Sequence, residues 1–196
     1  MNRVLPRRES GVAEPARLDA MDWIECALRV LAERGVEGIR VEVLAKLLGV
    51  TKGSFYWHFA DRAALLQAML QEWRRRATLA IIQRYESTAD DAGTRLHRLL
   101  RLQFDTRNAE IGAEIELSVR LWGRHDASAA QVLQEIDELR LRYIAQLLQE
   151  AGVDPLEVHA RAVLAYCYMR VSRSLLDPRR DRNIVQMCEA ILSTPR

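Results

Sequence analysis

Apolar residues recur every three or four positions along most of this chain, the spacing expected of helices that bury one face. The first stripe consists of Leu18, Met21, Ile24, Ala27, Leu28 and Leu31. It stops at Gly35, and an apolar stretch at 41–48 predicts a second, short helix. This helix is expected to end at Gly49, because glycine readily adopts the left-handed conformation that follows helix C-termini. Thr51 is expected to cap a third short helix that runs to about Phe59.

The rest of the chain keeps the helical period. Asp61 is placed to cap a fourth helix, whose apolar positions continue past Ile81. After a polar break at 87–93, five further helices are predicted at about 94–107, 109–122, 127–151, 155–176 and 181–193. The breaks between them fall at Asn108, 123–126, 152–155 and 177–178. No stretch alternates with period two over the length of a strand, so the predicted fold is all-α.

The second and third helices, joined at 49–51, form a helix-turn-helix, an arrangement that places its second helix in the major groove of DNA. Tight turns between short helices occur in many helical proteins, so the composition of the second helix decides the interpretation. At about 100° per residue, Phe55 and Phe59 fall on one face and anchor it in the core. Gly53 and Trp57 then project away from that core.

The two flanks of this helix carry Lys52 and Tyr56 on one side and Ser54 and His58 on the other. Large aromatic side chains left in water lose the favourable free energy of burial unless a binding partner covers them. Gly53 is about 1 kcal/mol less favourable in a helix than alanine, and close approach of DNA supplies a reason for it. The alternative is that Tyr56 and Trp57 pack against the rest of the protein and that His58 is an ordinary surface histidine.

The stretch at 35–66, GVEGIRVEVLAKLLGVTKGSFYWHFADRAALL, closely resembles the DNA-binding domain of the tetracycline-repressor (TetR) family. The resemblance is strong over 17–75, and beyond it only the length and the number of helices match. It implies that Lys52, Gly53 and Tyr56 approach bases. It also implies that Thr51, Trp57 and His58 contact phosphates.

The sequence departs from the family pattern at two positions. Where the family usually opens its second helix with Thr or Ser, this chain has Arg40, which removes a capping oxygen worth roughly 1 kcal/mol. Arg40 is instead a candidate to reach that phosphate itself. A lysine usually stands three residues after the last phenylalanine of the signature, and here Arg62 keeps the charge, so a phosphate contact is expected there as well.

The chain is divided accordingly into an arm at 1–16, a helix-turn-helix DNA-binding domain at 17–75 and a helical effector-binding and dimerisation domain at 76–196. The arm contains two prolines and several arginines and is interpreted as mobile. Whether it also touches DNA stays open.

The resemblance implies that the C-terminal helices form a dimer interface and a small-molecule pocket whose occupancy loosens DNA binding. Two stripes suit contact between copies: Ile184, Met187, Cys188, Ile191 and Leu192, and Ala162, Ala165, Tyr166 and Met169. Alternatively, both stripes cover the core of the monomer. The candidate pocket residues are Phe104, Glu116, Arg120, Trp122, Tyr143 and Tyr166. The alternative for these is that the aromatic residues are core and that Glu116 and Arg120 form a surface pair one turn apart.

Composition changes this picture little. The net charge is only +2, so overall charge does not by itself indicate a nucleic-acid partner. Three widely spaced cysteines, Cys26, Cys167 and Cys188, argue against a zinc site and a disulfide scaffold and fit a reducing compartment. No apolar run approaches the ~20 residues that span a bilayer, and no secretory signal is present, so a cytoplasmic protein is expected.

Catalysis is not expected. The histidines at 97, 125 and 159 have no metal-ligand spacing, and neither a phosphate loop nor a nucleophile elbow occurs. No metal or cofactor is expected either. The sequence therefore predicts a dimeric repressor that binds double-stranded operator DNA and is released by a small molecule. The alternative is a helical interaction or architectural protein without operator specificity.

Overall fold

The computed structural model describes residues 18–104 and 107–194, which form ten α-helices. In chain order these are α1 (Ala20–Arg34), α2 (Val41–Leu48), α3 (Lys52–Tyr56), α4 (Arg62–Arg74), α5 (Ala80–Glu86), α6 (Ala92–Arg101), α7 (Arg107–Gly123), α8 (Ala127–Glu150), α9 (Pro155–Leu175) and α10 (Arg182–Ser193). Short 3-10 turns lie at Val36–Gly38 and Leu102–Phe104. The described part contains no strand, which confirms the all-α fold. The predicted arm at 1–16 lies outside the described residues.

The helix α1 begins with a reciprocal cap that its apolar pattern does not reveal. The Asp19 carboxylate accepts hydrogen bonds from the backbone N–H groups of Met21 (2.7 Å) and Asp22 (3.0 Å). The Asp22 carboxylate in turn accepts one from the Asp19 N–H (2.7 Å). These bonds satisfy donors that a helix N-terminus leaves unpaired, so α1 begins at Ala20 and not at Leu18.

The turn between α2 and α3 has the predicted glycine. Gly49 is left-handed, with φ of 70°, and its N–H donates to carbonyls of the last turn of α2. The predicted cap of α3 is wrong in one respect: Thr51 stands at the N-cap, but its hydroxyl makes no capping hydrogen bond. The Ser54 N–H, which such a hydroxyl would bind, donates to the Thr51 carbonyl instead (3.1 Å).

Two other helix boundaries differ from the prediction. α3 ends at Tyr56 and not near Phe59, because the N–H groups of residues 58 and 59 both donate to the Phe55 carbonyl and close a turn there. Asn108 does not break the chain, since α7 already begins at Arg107. One asparagine costs a helix at most about 0.7 kcal/mol, which tertiary packing overrides.

The fourth predicted helix does run past Ile81. A five-residue π-helical segment, Arg75–Leu79, joins α4 to α5 without interruption, so the helical chain extends from Arg62 to Glu86. Single-turn π segments inside α-helices occur frequently at functional sites. This continuous helix connects the helix-turn-helix to the C-terminal bundle.

Two apolar cores hold the helices together. The first is built on α1 and the helix-turn-helix, and it also includes Val119 and Trp122 of α7 and Ala129 and Ile136 of α8. It therefore crosses the domain boundary placed at 75/76, and that division stays a prediction. The second core lies among α5, α6, α8, α9 and α10. None of the described helices is long and apolar enough to cross a membrane.

Candidate nucleic-acid interface and effector cavity

The five-residue α3 is held in place by two phenylalanines, one within it and one just after it. Phe55 is completely buried, and its ring meets the Trp23 ring of α1 edge-on, with centroids 5.3 Å apart. Phe59 is also buried and lies 5.5 Å from Phe55, centroid to centroid. Both predicted anchors are confirmed as core residues, which fixes the orientation of a helix too short to be stable alone.

The opposite face of α3 is open to solvent. Trp57 is 84% exposed and Tyr56 is 61% exposed. The alternative in which these two side chains pack against the rest of the protein is therefore wrong for the described chain. The Tyr56 ring also meets the Phe55 ring edge-on at 5.2 Å, so its position is fixed although most of its surface is in water. Two large aromatic side chains thus stand next to each other with most of their surface in water.

Gly53 lies on this exposed face, and the protein itself does not require a glycine there. A Cβ atom at Gly53 would come within 3.6 Å of the Thr51 Oγ1 atom, an ordinary van der Waals contact. Thr51 is exposed as well, whereas Ser54 and His58 are half-buried. The missing side chain leaves backbone accessible between Thr51 and Trp57.

Lys52 is paired across the turn in a way that the sequence pattern does not reveal. Its Nζ donates to Glu42 Oε1 of α2 at 2.6 Å, and both side chains are exposed. The hydrogen bond from Lys52 lowers the pKa of Glu42 below its usual range. The two residues lie ten positions apart on different helices, and only the turn brings them together.

Arg62 and Arg40 differ in their surroundings. The Arg62 guanidinium donates to the carbonyls of Ile39 and Val36, both at 2.6 Å, and so ties the start of α4 to the loop before α2. The phosphate contact expected for Arg62 stays a prediction. The same guanidinium also makes these two hydrogen bonds within the protein. Arg40 is exposed at the N-cap of α2 and makes no side-chain capping bond, as the substitution of the usual hydroxyl implies.

An apolar cavity of about 40 Å³ lies where α9, α8 and the α4–α5 junction meet. It is lined by Ala77, Thr78, Ile81, Ile82, Leu99, Leu102, Arg140, Tyr143, Ile144, Tyr166, Met169 and Arg170. By the measure in which one water needs about 10–15 Å³, the space holds only a few waters or a small organic group.

The predicted pocket residues divide into three groups. Tyr143 and Tyr166 line the cavity. Glu116 and Arg120 do not line it but hydrogen-bond to residues that do. Phe104 lies in a 3-10 turn and Trp122 packs in the first core, and neither is among the residues that line this cavity, so their contact with a ligand stays a prediction.

Glu116 is the centre of a buried ion cluster and not part of a surface pair. It is 7% exposed, and its carboxylate accepts from Arg120 (2.8 Å), from Arg140 (2.9 and 3.0 Å) and from Arg170. Burial alone would raise the pKa of Glu116, but the charges of Arg140 and Arg170 outweigh it and lower that pKa to about 2. The expected pair between Glu116 and Arg120 is therefore present, but the expectation that it lies on the surface is wrong.

A second carboxylate completes the cluster. Arg120 donates to both oxygens of Asp137, at 2.8 and 2.9 Å, and to the Tyr166 hydroxyl at 3.0 Å. The Tyr166 hydroxyl donates to Asp137 Oδ1 at 2.5 Å. Burial opposes ionisation of Asp137, but the hydrogen bonds from Arg120 and Tyr166 keep its pKa below the usual value.

Arg140 connects this cluster to the helix that leads to the DNA-binding domain. Its Nε donates to Thr78 Oγ1 at 3.0 Å and its Nη2 to the Ala77 carbonyl at 3.1 Å, both in the π-helical segment. Its guanidinium also lies 5.9 Å from the centroid of the Trp73 ring of α4. Sequence reasoning missed Arg140 and Arg170, because their partners are 24 to 63 positions away along the chain.

A helix-turn-helix whose second helix is anchored by core aromatic residues and exposes its outer face has the geometry of the DNA-binding helix-turn-helix motif. Residues 24–69 match the model of the family described as "Bacterial regulatory proteins, tetR family". The matched segment contains α2, α3 and most of α1 and α4.

The relatives match only a short segment of this chain. The transcriptional regulator TtgR of Pseudomonas putida is 42% identical over 57 residues, which are 29% of this chain and 27% of TtgR. The class D tetracycline repressor of Escherichia coli is 39% identical over 57 residues, 29% of this chain and 26% of the repressor. The matched segment thus spans about a quarter of the length of these relatives.

The fold likeness extends further. A TetR-family regulator from Rhodococcus, described as putative, superposes with a TM-score of 0.68 at 22% identity, covering 89% of this chain and 98% of that one. At this identity the likeness establishes the shared fold of the whole described chain and nothing more.

Proposed function

We propose that this protein is a dimeric, sequence-specific repressor that binds double-stranded operator DNA and is released from it by a small molecule. The observation that carries the proposal is the outer face of α3, where Trp57 and Tyr56 stand exposed beside a glycine that internal packing does not demand. We further propose that it acts in the cytoplasm. No catalytic step, metal or cofactor is part of this function.

In the proposed complex, α3 lies in the major groove. Lys52, Gly53 and Tyr56 approach base edges, and Thr51, Trp57 and His58 contact phosphates on either side. Tyrosine and tryptophan suit this role because each combines a flat apolar body with a hydrogen-bonding tip. Arg40 and Arg62 add charge at the edges of the contact, and Ser54 lies on the flank shared with His58.

We propose that two copies associate through α9 and α10. Exposed apolar residues follow one face of each helix: Leu156, Val163, Leu164, Val171 and Leu175 on α9, and Ile184, Met187 and Ile191 on α10. This corrects part of the interface expected from sequence, because Ala162, Ala165 and Met169 are buried in the second core of the monomer and Leu192 is buried there too. Four such helices, two from each copy, bury these faces around a two-fold axis.

Ligand control is proposed to act through Arg140. A molecule in the cavity competes for the space beside Arg140, whose hydrogen bonds hold the π-helical segment below α4. At its other end α4 is tied by Arg62 to the loop before α2. A displaced Arg140 therefore changes the position of α4, and with it the distance between the two reading helices of a dimer.

A competition gel shift tests the DNA-binding part of the proposal. Labelled genomic fragments are bound in the presence of excess bulk genomic DNA, and a repressor is expected to retain a few strongly preferred sites. Equal competition by all fragments would instead support the architectural alternative. On a retained site, Tyr56→Ala and Lys52→Ala should each weaken binding by about 1–3 kcal/mol while the melting temperature changes little.

A further inference from the structure

The cavity has one polar end, and its chemistry restricts the ligand. Most of the lining is aliphatic or aromatic, contributed by the π-helical segment, α5, α6 and α8. Arg140 and Arg170 are the charged side chains in the lining, and both also contact the buried ion cluster. A molecule in this space therefore meets apolar walls on most sides and guanidinium groups on one.

The charges around this end do not balance. Within the described part of the chain, Arg120, Arg140 and Arg170 are linked by hydrogen bonds to two carboxylates, Glu116 and Asp137. Both carboxyl groups have lowered pKa values and are ionised at neutral pH. The five groups thus carry one net positive charge. Glu116 and Arg140 are buried and the Arg170 side chain is only 30% exposed, so this charge attracts a partner of opposite sign more strongly than a charge in open water does.

Each carboxylate oxygen of the cluster is already bound by an arginine, whereas arginine N–H donors remain. Both oxygens of Glu116 and both oxygens of Asp137 accept at least one hydrogen bond from arginine. Arg170, in contrast, donates to Glu116, and its other N–H groups donate to no described residue. Its guanidinium is held 5.2 Å from the centroid of the Tyr166 ring, so these free donors have a fixed direction.

From this charge balance we infer that the cavity binds an organic monoanion, a carboxylate on a small apolar body, with Arg170 donating to the carboxylate. The inference rests on the proposal that this cavity is the effector site. A cationic head group would meet the like charges of Arg140 and Arg170 in the lining, and a dianion exceeds the single unbalanced charge. The small volume favours a body of only a few carbon atoms.

The test compares head groups on the unmodified, DNA-free protein. Straight-chain carboxylates of two to eight carbons, the primary amides of the same lengths and the corresponding alkyltrimethylammonium ions are titrated by calorimetry. We expect at least one carboxylate to bind saturably at or below about 1 mM, a range open to ligands of this size. The matching amide should bind about 10-fold or more weakly, and the ammonium ion should not bind.

A pair of variants on α9 locates the carboxylate. Arg170→Met should weaken carboxylate binding by about 10- to 100-fold and leave amide binding within about twofold. Arg173→Met is the matched control: Arg173 lies one turn further along the same helix, donates to the Gln103 carbonyl, and does not line the cavity, so its loss should change affinity less than twofold.

Three results would overturn the inference: no saturable carboxylate binding at 1 mM, tighter binding of the amide or ammonium series, or unchanged carboxylate affinity in a folded Arg170→Met variant. The comparison of carboxylates, amides and ammonium ions uses the unmodified protein. It therefore tests the inference even if the Arg170→Met variant does not fold. Release of operator DNA by the same carboxylates is measured separately. Binding without release would refute ligand control and leave the assignment of the anion intact.

Discussion

At the scale of single residues, the outward face of α3 could be predicted because helical periodicity alone fixes it. Two phenylalanines four positions apart point into the core, and Tyr56 and Trp57 are then forced into solvent. The partners of Lys52 and Arg62 could not be predicted in this way. Those contacts join residues 10 to 26 positions apart, and they depend on where the turns place whole helices.

Gly53 gives the first prediction at this scale. Because a Cβ atom there meets only ordinary contact with Thr51, Gly53→Ala should fold normally and gain up to about 1 kcal/mol of helix stability. In the DNA complex the added methyl group occupies the closest approach of backbone to bases, so operator affinity should fall by about 1–3 kcal/mol. Thermal unfolding and a DNA titration measure the two effects.

Gly49→Ala is the matched control for this variant. Gly49 has a positive φ, at which alanine is strained by about 1–2 kcal/mol, and nothing lies within 4 Å of the added atom. This variant should therefore lose stability but, once folded, keep most of its affinity for DNA. If Gly53→Ala bound the operator as tightly as the parent, α3 would not approach the bases at this point.

At the scale of elements, periodicity predicted which segments are helical but not how they end or join. The capping box at Asp19, the early end of α3 and the π-helical segment at Arg75–Leu79 all depend on local hydrogen bonds that leave no apolar pattern. The small residues of α9 suit either contact with a second copy or the core of the monomer. They pack inside the monomer because α8 lies against them. Such choices between two apolar faces need tertiary structure.

Arg62 tests how α4 is attached to the helix-turn-helix. Its two hydrogen bonds to backbone carbonyls require the guanidinium fork, whereas a phosphate contact requires only charge. Arg62→Lys should thus lose about 1 kcal/mol of stability and keep the salt dependence of DNA binding. Arg62→Ala should lose similar stability and also reduce the slope of log K against log salt by about one unit.

Chemical denaturation and DNA titrations between 50 and about 200 mM salt, the range in which phosphate contacts dominate the change, separate these effects. An Arg62→Lys variant as stable as the parent would mean that the carbonyl bonds contribute nothing. An unchanged salt slope in Arg62→Ala would remove Arg62 from the phosphate contacts.

Glu116 tests how α7, α8 and α9 are held together. Glu116→Gln removes the carboxylate shared by three arginines and should destabilise the protein by about 3–5 kcal/mol at neutral pH. The folded-state pKa of Glu116 is lowered to about 2, below the ordinary 4.5, so the charged form contributes stability above the ordinary value. The difference between parent and variant should shrink as the pH falls from about 4.5 towards 2.

Urea unfolding at several pH values measures this difference. Glu114→Gln is the control, since Glu114 lies two positions away on the same helix and is exposed. It should change stability by less than about 0.5 kcal/mol at every pH. Equal stability of Glu116→Gln and the parent at neutral pH would mean that the ion cluster does not hold these helices.

At the scale of the whole molecule, the last prediction concerns assembly. One short reading helix contacts too few base pairs to select an operator from a genome, and a two-fold dimer sets two such helices about 34–36 Å apart, one turn of DNA, or a multiple of it. Ile184→Asp combined with Ile191→Asp places charges on the exposed face of α10 and should yield monomers at micromolar concentration. Specific DNA binding should fall by about 100-fold or more, because the second half-site is no longer held at high local concentration.

The matched control places the same charges on another exposed apolar face. Leu117 and Leu121 of α7 lie one turn apart on one face and are similar in exposure to the α10 pair, and their replacement by Asp should leave the dimer and its DNA affinity unchanged. Sedimentation equilibrium gives the mass, and a titration with an approximately palindromic site gives the affinity. The parent protein could instead be a monomer at micromolar concentration while bound to one asymmetric site. A ligand beside Arg140 would then have no second reading helix whose distance from the first it could change.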